Sequence, residues 1–518
     1  LTDFVLSVAH LSGVICLRRI IESVLTTGVA TAISMMINLF LTPFITDKLG
    51  VDAYGFISLS NTFVGYAAIL TTALDSFATR FIAVEYHKGN LRKASRYYSS
   101  LIVANFSISM LLLVVALPLY VSPGSFLNVP EGMGGDVGYL FLLTFINFSL
   151  TTMSTALSVS VYIKNRLDLY GIAQVIANVV EAGLILFLYW IIPPSLSLFG
   201  IALVASSLTL VLANLRLHKK LIPELEFDVG LFSFSSLKDL AAAGVWSSIN
   251  TLGNLLNSGV GLFIANLMLS ATSMGQLAIS KTFSSVLTRL YQLVSQAFYP
   301  KILKHYSENR KDELLASLTV ASSITGSFAA ILFAGFFALC PAFYRLWVPN
   351  QPLDILYPLT MLTMFYSFAE GALQPLYYIY ALTLKNRFPS VLTVIGGFVN
   401  IAIACGLIKF TNLGVFSIPI ASGLVMAFIS FVCNPIYMAK CLEMPWHYLY
   451  PTLIRVTVAC VVCCLVFGAV GQSFSPKTWI EFVLAVLLDL FIGVILCAIV
   501  FCKIINQYRF SRARDVSR

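Results

Sequence analysis

Apolar residues along this chain come in blocks, and the short stretches between the blocks hold almost all of its charge. A run of roughly twenty apolar residues, wound as a helix, crosses the hydrocarbon core of a bilayer. Fourteen such runs are legible, at about 20–46, 53–84, 97–121, 138–163, 168–191, 197–216, 241–268, 274–300, 314–340, 356–384, 388–409, 414–439, 449–471 and 478–502. The pattern predicts an all-α polytopic membrane protein with about fourteen transmembrane helices.

The pattern also repeats. Tyr54–Phe63 reads YGFISLSNTF and Met274–Phe283 reads MGQLAISKTF, an offset of 220 that pairs Gly55 with Gly275, Ser60 with Ser280 and Asn61 with Lys281. Lys164-Asn165-Arg166 returns as Lys385-Asn386-Arg387 at 221, and both Asn178/Asn400 and Ala94-Ser95/Ala316-Ser317 recur at 222. Residues 18–217 and 240–440 therefore read as two copies of one six-helix unit. Six is even, so the copies enter the membrane from the same side as parallel lobes, related by a rotation near 180° about the membrane normal that lays Asn61 on Lys281. Residues 218–239 read as a cytosolic linker lying on the lipid headgroups. Residues 441–518 add spans 13 and 14 and a basic cytosolic tail, while residues 1–17 form an N-terminal extension with no assigned role. The apolar run after Arg18-Arg19 is too long for the core of a signal peptide and is expected to stay in the mature chain.

Composition sharpens this picture. Of the 518 residues, 58% are hydrophobic and 11% charged, against about a quarter charged in soluble domains. A net charge of +9 would fit nucleic acid as a partner, but the basic residues fall between apolar runs. Placing both termini in the cytosol puts 25 of the 32 Lys and Arg residues there, leaves Lys48, Arg345, Lys409 and Lys477 outside, and keeps Arg80, Lys281 and Arg289 inside spans. The charge reports topology, and nucleic acid is excluded. The ten cysteines lie in apolar runs or cytosolic segments, which argues against a disulfide framework. Cys460, Cys463 and Cys464 read as packing residues with no second ligand pair, so neither a metal nor a cofactor is expected. The sequons at Asn105 and Asn147 fall within spans, no catalytic motif occurs, and external loops are too short to hold an enzyme's active site.

Charged residues inside spans are costly, and each one is a functional hypothesis. On span 8, Lys281, Thr288, Gln292, Ser295 and Tyr299 fall along one helical line, with Arg289 flanking it. Span 2 places Asn61, Thr72, Asp75 and Thr79 at equivalent positions, and span 7 adds Asn250, Asn254 and Asn257. Taken singly, such side chains hydrogen-bond neighbouring helices; three stripes in related helices predict a hydrated cavity between the lobes. Arg80, near the cytosolic end of span 2, either faces that cavity or snorkels to the headgroups. Asp75, Glu370 and Glu181 either carry a coupling proton or sodium ion or neutralise Lys281 and Arg289. Asp489, in span 14, is expected to pair locally.

The stretch LTPFITDKLGVDAYGFISLSNTF at 41–63, followed by ATRFIAVEYHKGN at 78–90, resembles the polysaccharide-unit flippases of the multidrug/oligosaccharidyl-lipid/polysaccharide exporter superfamily. Its marks are Pro43 near the end of span 1, the LGxxxYG element at 49–55, and Arg80 before a small basic loop. The resemblance implies a MATE-like pair of lobes and a V-shaped cavity. It also implies passage of an undecaprenyl-pyrophosphate-linked oligosaccharide, for a surface polysaccharide such as a lipopolysaccharide or exopolysaccharide, across a bacterial inner membrane. A polysaccharide polymerase and chain-length proteins are the implied partners. In that reading Lys281, Arg289 and Arg80 meet the pyrophosphate, and Asn61, Asn250, Asn254, Asn257 and Gln292 meet sugar hydroxyls. Span 1 has no charge between Glu22 and Asp47, unlike the lipid II branch, where an opposite-charge pair sits in that helix. A lipid II flippase, a multidrug cation antiporter and a membrane glycosyltransferase or polymerase are the competing readings. The two buried cations count against the second, and the small loops against the third.

Overall fold

The computed structural model describes residue 26 and residues 28–473 and 476–516, the side chains of 472–475 and 502–516 excepted. The 1–17 extension, Arg18-Arg19 and the start of span 1 lie outside the described residues. All regular elements described are helical. In order they are α1 (Gly28–Leu49), α2 (Val51–His87), α3 (Leu91–Val121), α4 (Gly134–Ile163), α5 (Leu167–Ile191), α6 (Leu196–Leu221), α7 (Phe234–Ser258), α8 (Val260–Met268), α9 (Ala271–Gln296) and α10 (Tyr299–Ser307). There follow α11 (Lys311–Trp347), α12 (Leu353–Met364), α13 (Ser367–Leu373), α14 (Tyr378–Leu382), α15 (Arg387–Phe410), α16 (Ser417–Phe428), α17 (Asn434–Cys441), α18 (Tyr450–Ser473) and α19 (Trp479–Val516).

Among the described residues, eleven helical segments are long and apolar enough to cross a membrane, Gly414–Cys441 counting as one of them. The three remaining expected spans are present but interrupted. Span 7 is α7 and α8, broken at Gly259; span 8 is α9 and α10, with Pro300 in the first turn of α10; span 10 is α12 to α14, with a 3₁₀ turn at Gln374–Tyr377 that begins around Pro375. Glycine and proline at these points remove the backbone preference or the hydrogen bond that would carry a helix through. The chain is thus an all-α, multi-pass membrane protein with about fourteen spans.

It divides into two compact units, 1–252 and 253–518, with the division inside α7. In the first unit a polar ladder joins α4 to α6. Asn214 Nδ2 donates to Ser154 Oγ at 2.8 Å, the Thr151 and Ser207 hydroxyls meet at 3.2 Å, and Ser207 donates to Asn147. Both sequon asparagines serve interhelical bonds, since Asn105 is fully buried and donates to Asp75 Oδ1 at 2.9 Å. The N-terminal part of α7 lies so close to α2 that a Cβ on Gly244 would stand 1.9 Å from the Ala73 carbonyl oxygen. The linker is tied to the start of α3: Ser99 Oγ accepts from Asp228 N at 3.1 Å, Ser100 Oγ from Ser233 N at 2.9 Å, and Tyr97 OH donates to Asp239 at 3.0 Å. Its Ile222 and Leu225 are buried in the core with Ile82 and Tyr98, while Phe227, Val229, Phe232 and Phe234 remain exposed.

In the second unit α11 is the central element. Small residues let α13 and α18 approach it: a Cβ on Gly371 would stand 2.3 Å from Ala329 Cβ, and one on Gly326 would stand 2.5 Å from Val456. Spans 13 and 14 pack on this helix, Gly493 against Ile331 and Phe482 against Phe343.

The repeat survives in atomic detail at the turn after span 2 and its copy after span 8. Gly89 (φ 78°) and Asn309 (φ 54°) are left-handed, and the next residue's N–H closes the turn on the carbonyl five back: Asn90 on Glu85 at 2.9 Å, Arg310 on His305 at 3.0 Å. Four residues before and four after the left-handed position sit facing side chains, the ion pair of Glu85 with Lys93 at 3.2 Å and the contact of His305 Nδ1 with a Glu313 carboxylate oxygen at 2.8 Å. The carboxylate precedes the turn in the first copy and follows it in the second. Lys88, which supports Glu85 at 3.7 Å, is matched by Glu308, which Arg310 holds at 3.2 Å. Nearby, Lys164 donates to Tyr86 OH at 2.9 Å, a bond that holds its ammonium above the ordinary lysine range.

Candidate functional site

The candidate site is built on α9, which begins where Ser270 Oγ accepts from Ser273 N at 3.0 Å, an N-cap at the repeat position of Gly50. Its exposed polar face is Ser285, Arg289, Gln292 and Gln296, residues that lie within about 40° of one line on a 3.6-residue helix. That line differs from the sequence expectation. Ser295 is buried, Thr288 is half-buried, and Tyr299 stands on α10 beyond the break, where its ring meets Tyr378 at 4.7 Å. Arg289, expected at the flank of the stripe, lies in it and has no ion-pair partner among the described residues.

Lys281 is half-buried one turn above this face, and its ammonium donates to the Ser258 carbonyl. That oxygen is the last of α7, left without an intrahelical partner by the break at Gly259. Gly261 makes room for the contact, since a Cβ there would lie 3.3 Å from Lys281 Nζ and 2.7 Å from Ile418. The lysine thus ties α9 to the broken helix, a role the sequence reading did not consider. Gly259 between two apolar runs was the signal for it.

Asn250 and Asn254 are exposed on α7, while Asn257 is buried. The Asn257 side-chain amide donates to the backbone carbonyls of Gly253 at 2.8 Å and Thr393 at 2.9 Å, and the Asn257 backbone carbonyl accepts from Asn400 Nδ2 at 3.1 Å. This is the helix-joining role that the three-stripe argument set aside for it. Gly396 and Gly397 on α15 clear the space around it. In the first unit Asn61 and Arg80 are exposed on α2, and Arg80 has no ion-pair partner among the described residues.

The three candidate carboxylates differ in surroundings. Asp75 is bound by Asn105. Glu181 is half-buried beside Ser206, whose hydroxyl also donates to Ala177 O at 2.9 Å. Glu370, on α13, has Tyr291, Tyr366 and Tyr377 within electrostatic range and no cationic partner among the described residues. Asp489 is buried near Gly335 and likewise has no cationic partner among the described residues. No cluster of His, Cys, Asp or Glu suited to a metal ion occurs among the described residues.

No family model matches the chain. It is 28% identical over 453 residues, 87% of this chain and 89% of the other, to the uncharacterized membrane protein EpsK of Bacillus subtilis (strain 168). Among solved structures it is similar to the lipid II flippase MurJ in an inward closed conformation, with a TM-score of 0.68 at 15% identity, covering 92% of this chain and 99% of that one. It is also similar to an inward-facing multidrug resistance MATE family transporter of the MOP superfamily, with a TM-score of 0.61 at 15% identity, covering 80% and 99%. The fold is the one these transporters share.

Proposed function

We propose that the chain moves a polyprenyl-pyrophosphate-linked oligosaccharide unit across a bacterial inner membrane by alternating access, driven by a proton or sodium gradient. The observation that carries this reading is the face of α9, where Arg289 stands exposed beside Gln292 with no ion-pair partner among the described residues, and Lys281 lies one turn away. Some cations near the helix ends do have carboxylate partners, as Arg166 with Asp168 at 2.9 Å and Lys311 with Glu443 at 3.2 Å, whereas the in-span Arg289, like Arg80, has none among the described residues. A cation left without one in a spanning segment calls for an anion from outside the protein, and a pyrophosphate supplies it through charge-assisted bonds. Gln292, Asn254, Asn250 and Asn61 offer the neutral donors and acceptors that sugar hydroxyls use. The MurJ-like fold supports a lipid-linked substrate. The absence of charge from Gly28 to Thr46 on α1 favours a surface polysaccharide unit over lipid II.

The tyrosines around Glu370 favour a small cation there, as a multidrug cation antiporter would also require. We assign that group to the coupling ion, with Asp75 and Glu181 as further candidates, because the exposed face of α9 is basic. Transport assayed in vesicles with an imposed proton or sodium gradient tests the assignment. Gradient dependence should be lost in Glu370→Gln; if Glu370→Gln, Asp75→Asn and Glu181→Gln all keep it, coupling does not run through these carboxylates.

A further inference from the structure

The first unit holds a cavity of about 620 Å³ that the transport reading leaves unused. Its walls come from three spanning helices: Ile102 on α3, Met153 and Leu157 on α4, and Val211 and Leu215 on α6. The linker closes one end with Leu225 and Phe227. The floor is built: the His218 ring stacks on Tyr98 at 4.9 Å with planes 10° apart, and His218 Nε2 bonds the Leu225 carbonyl at 3.0 Å. His218 is 7% exposed, and its Nδ1 has no hydrogen-bond partner among the described residues. At the mouth stand Lys219 and Glu226, both exposed, and among the described residues no ion pair joins them.

We propose that this cavity binds one zwitterionic, amine-headed phospholipid, its acyl chain along the apolar wall and its headgroup at the linker. Walls formed by membrane-spanning helices meet acyl chains as their natural solvent, and an empty cleft would forfeit the dispersion contacts of its lining. Its volume lies within the roughly 300–1,000 Å³ of sites that enclose a small ligand. The charges choose the headgroup. Lys219 matches a phosphate and Glu226 matches an ammonium, so a headgroup with both signs satisfies the pair, whereas an anionic headgroup would leave Glu226 facing like charge. The lipid would brace the linker where it leaves α6 at His218 and turns to α3. This inference does not rest on transport and stands or falls separately from it.

The test is native mass spectrometry of the full chain in mild detergent, with phosphatidylethanolamine or phosphatidylglycerol added. Wild type should retain one phosphatidylethanolamine at collision energies that strip all other lipid. Leu157→Trp, which fills the cleft, should lose it; Val211→Trp serves the same purpose if the first variant does not elute as a single species. Glu226→Lys should shift preference toward phosphatidylglycerol by about tenfold, the loss of one charge-assisted bond. Equal retention of both lipids by wild type, detergent alone in the cleft, or full retention in both tryptophan variants would overturn the proposal.

Discussion

Lys281 has two duties that a single substitution would confound, namely a charge offered to substrate and a donor offered to the Ser258 carbonyl. Glutamine and methionine separate them. Lys281→Gln removes the charge and keeps an amide donor, one bond shorter than the ammonium, on the side of that carbonyl, so the protein should hold most of its thermal midpoint in detergent and lose transport. Lys281→Met leaves the oxygen unpaired, at a cost of about 1–3 kcal/mol, and should lower the midpoint as well. If both variants fall equally in stability, the charge itself is structural. The sequence placed Lys281 in a polar stripe but could not show its partner, because the partner is a backbone carbonyl exposed by a break 23 residues earlier. Asn257 was opaque for a related reason. It is polar at the same helical spacing as Asn250 and Asn254, and only the position of α15 decides that its amide is spent on Thr393.

Among the elements, hydrophobic length found the spans, and glycine or proline stands at several of their breaks, although Pro118 and Pro341 lie inside helices that stay whole and α12 ends at Phe365-Tyr366 with neither residue there. Spans 7, 8 and 10 read as continuous because their apolar content continues across Gly259, Pro300 and Pro375; these residues mark the breaks, though not the angle between the pieces. Close helix approach was not legible at all, since Gly183 and Gly244 look alike in sequence. In a helix interior, Gly→Ala ordinarily gains about 0.5–1 kcal/mol, and Gly183→Ala, with nothing within 4 Å of the added carbon, should do so. Gly244→Ala drives a methyl to within 1.9 Å of the Ala73 carbonyl, an overpacking that costs about 1–3 kcal/mol. The thermal midpoint should therefore move in opposite directions in the two variants. The reversed pairs give a third test. Lys93→Glu should destabilise the turn after α2, and adding Glu85→Lys and Lys88→Glu, which sets a cation against acids at the repeat positions of Glu308 and Glu313, should restore the midpoint. No recovery in the triple variant would mean that the pairs do not act as a unit.

For the molecule as a whole, the repeat was legible where both copies keep the same letters, as at Gly55 and Gly275 or Ser60 and Ser280. The turn at Gly89 and Asn309 was not, because two different residues take the same left-handed position and close the same hydrogen-bonded turn. Substrate identity is less legible, because sugars are recognised by side-chain amides and hydroxyls that also join helices. An anion held on α9 is what separates a lipid-pyrophosphate flippase from a drug or ion exporter, and binding of substrate tests it most directly. Purified full chain should bind a polyprenyl-pyrophosphate-linked oligosaccharide in a salt-sensitive manner, and Arg289→Gln should weaken binding about tenfold. A matched lipid with an uncharged linkage should bind weakly and be indifferent to that substitution. Equal binding of the charged and uncharged lipids, or unchanged affinity in Arg289→Gln and Lys281→Gln alike, would contradict the account.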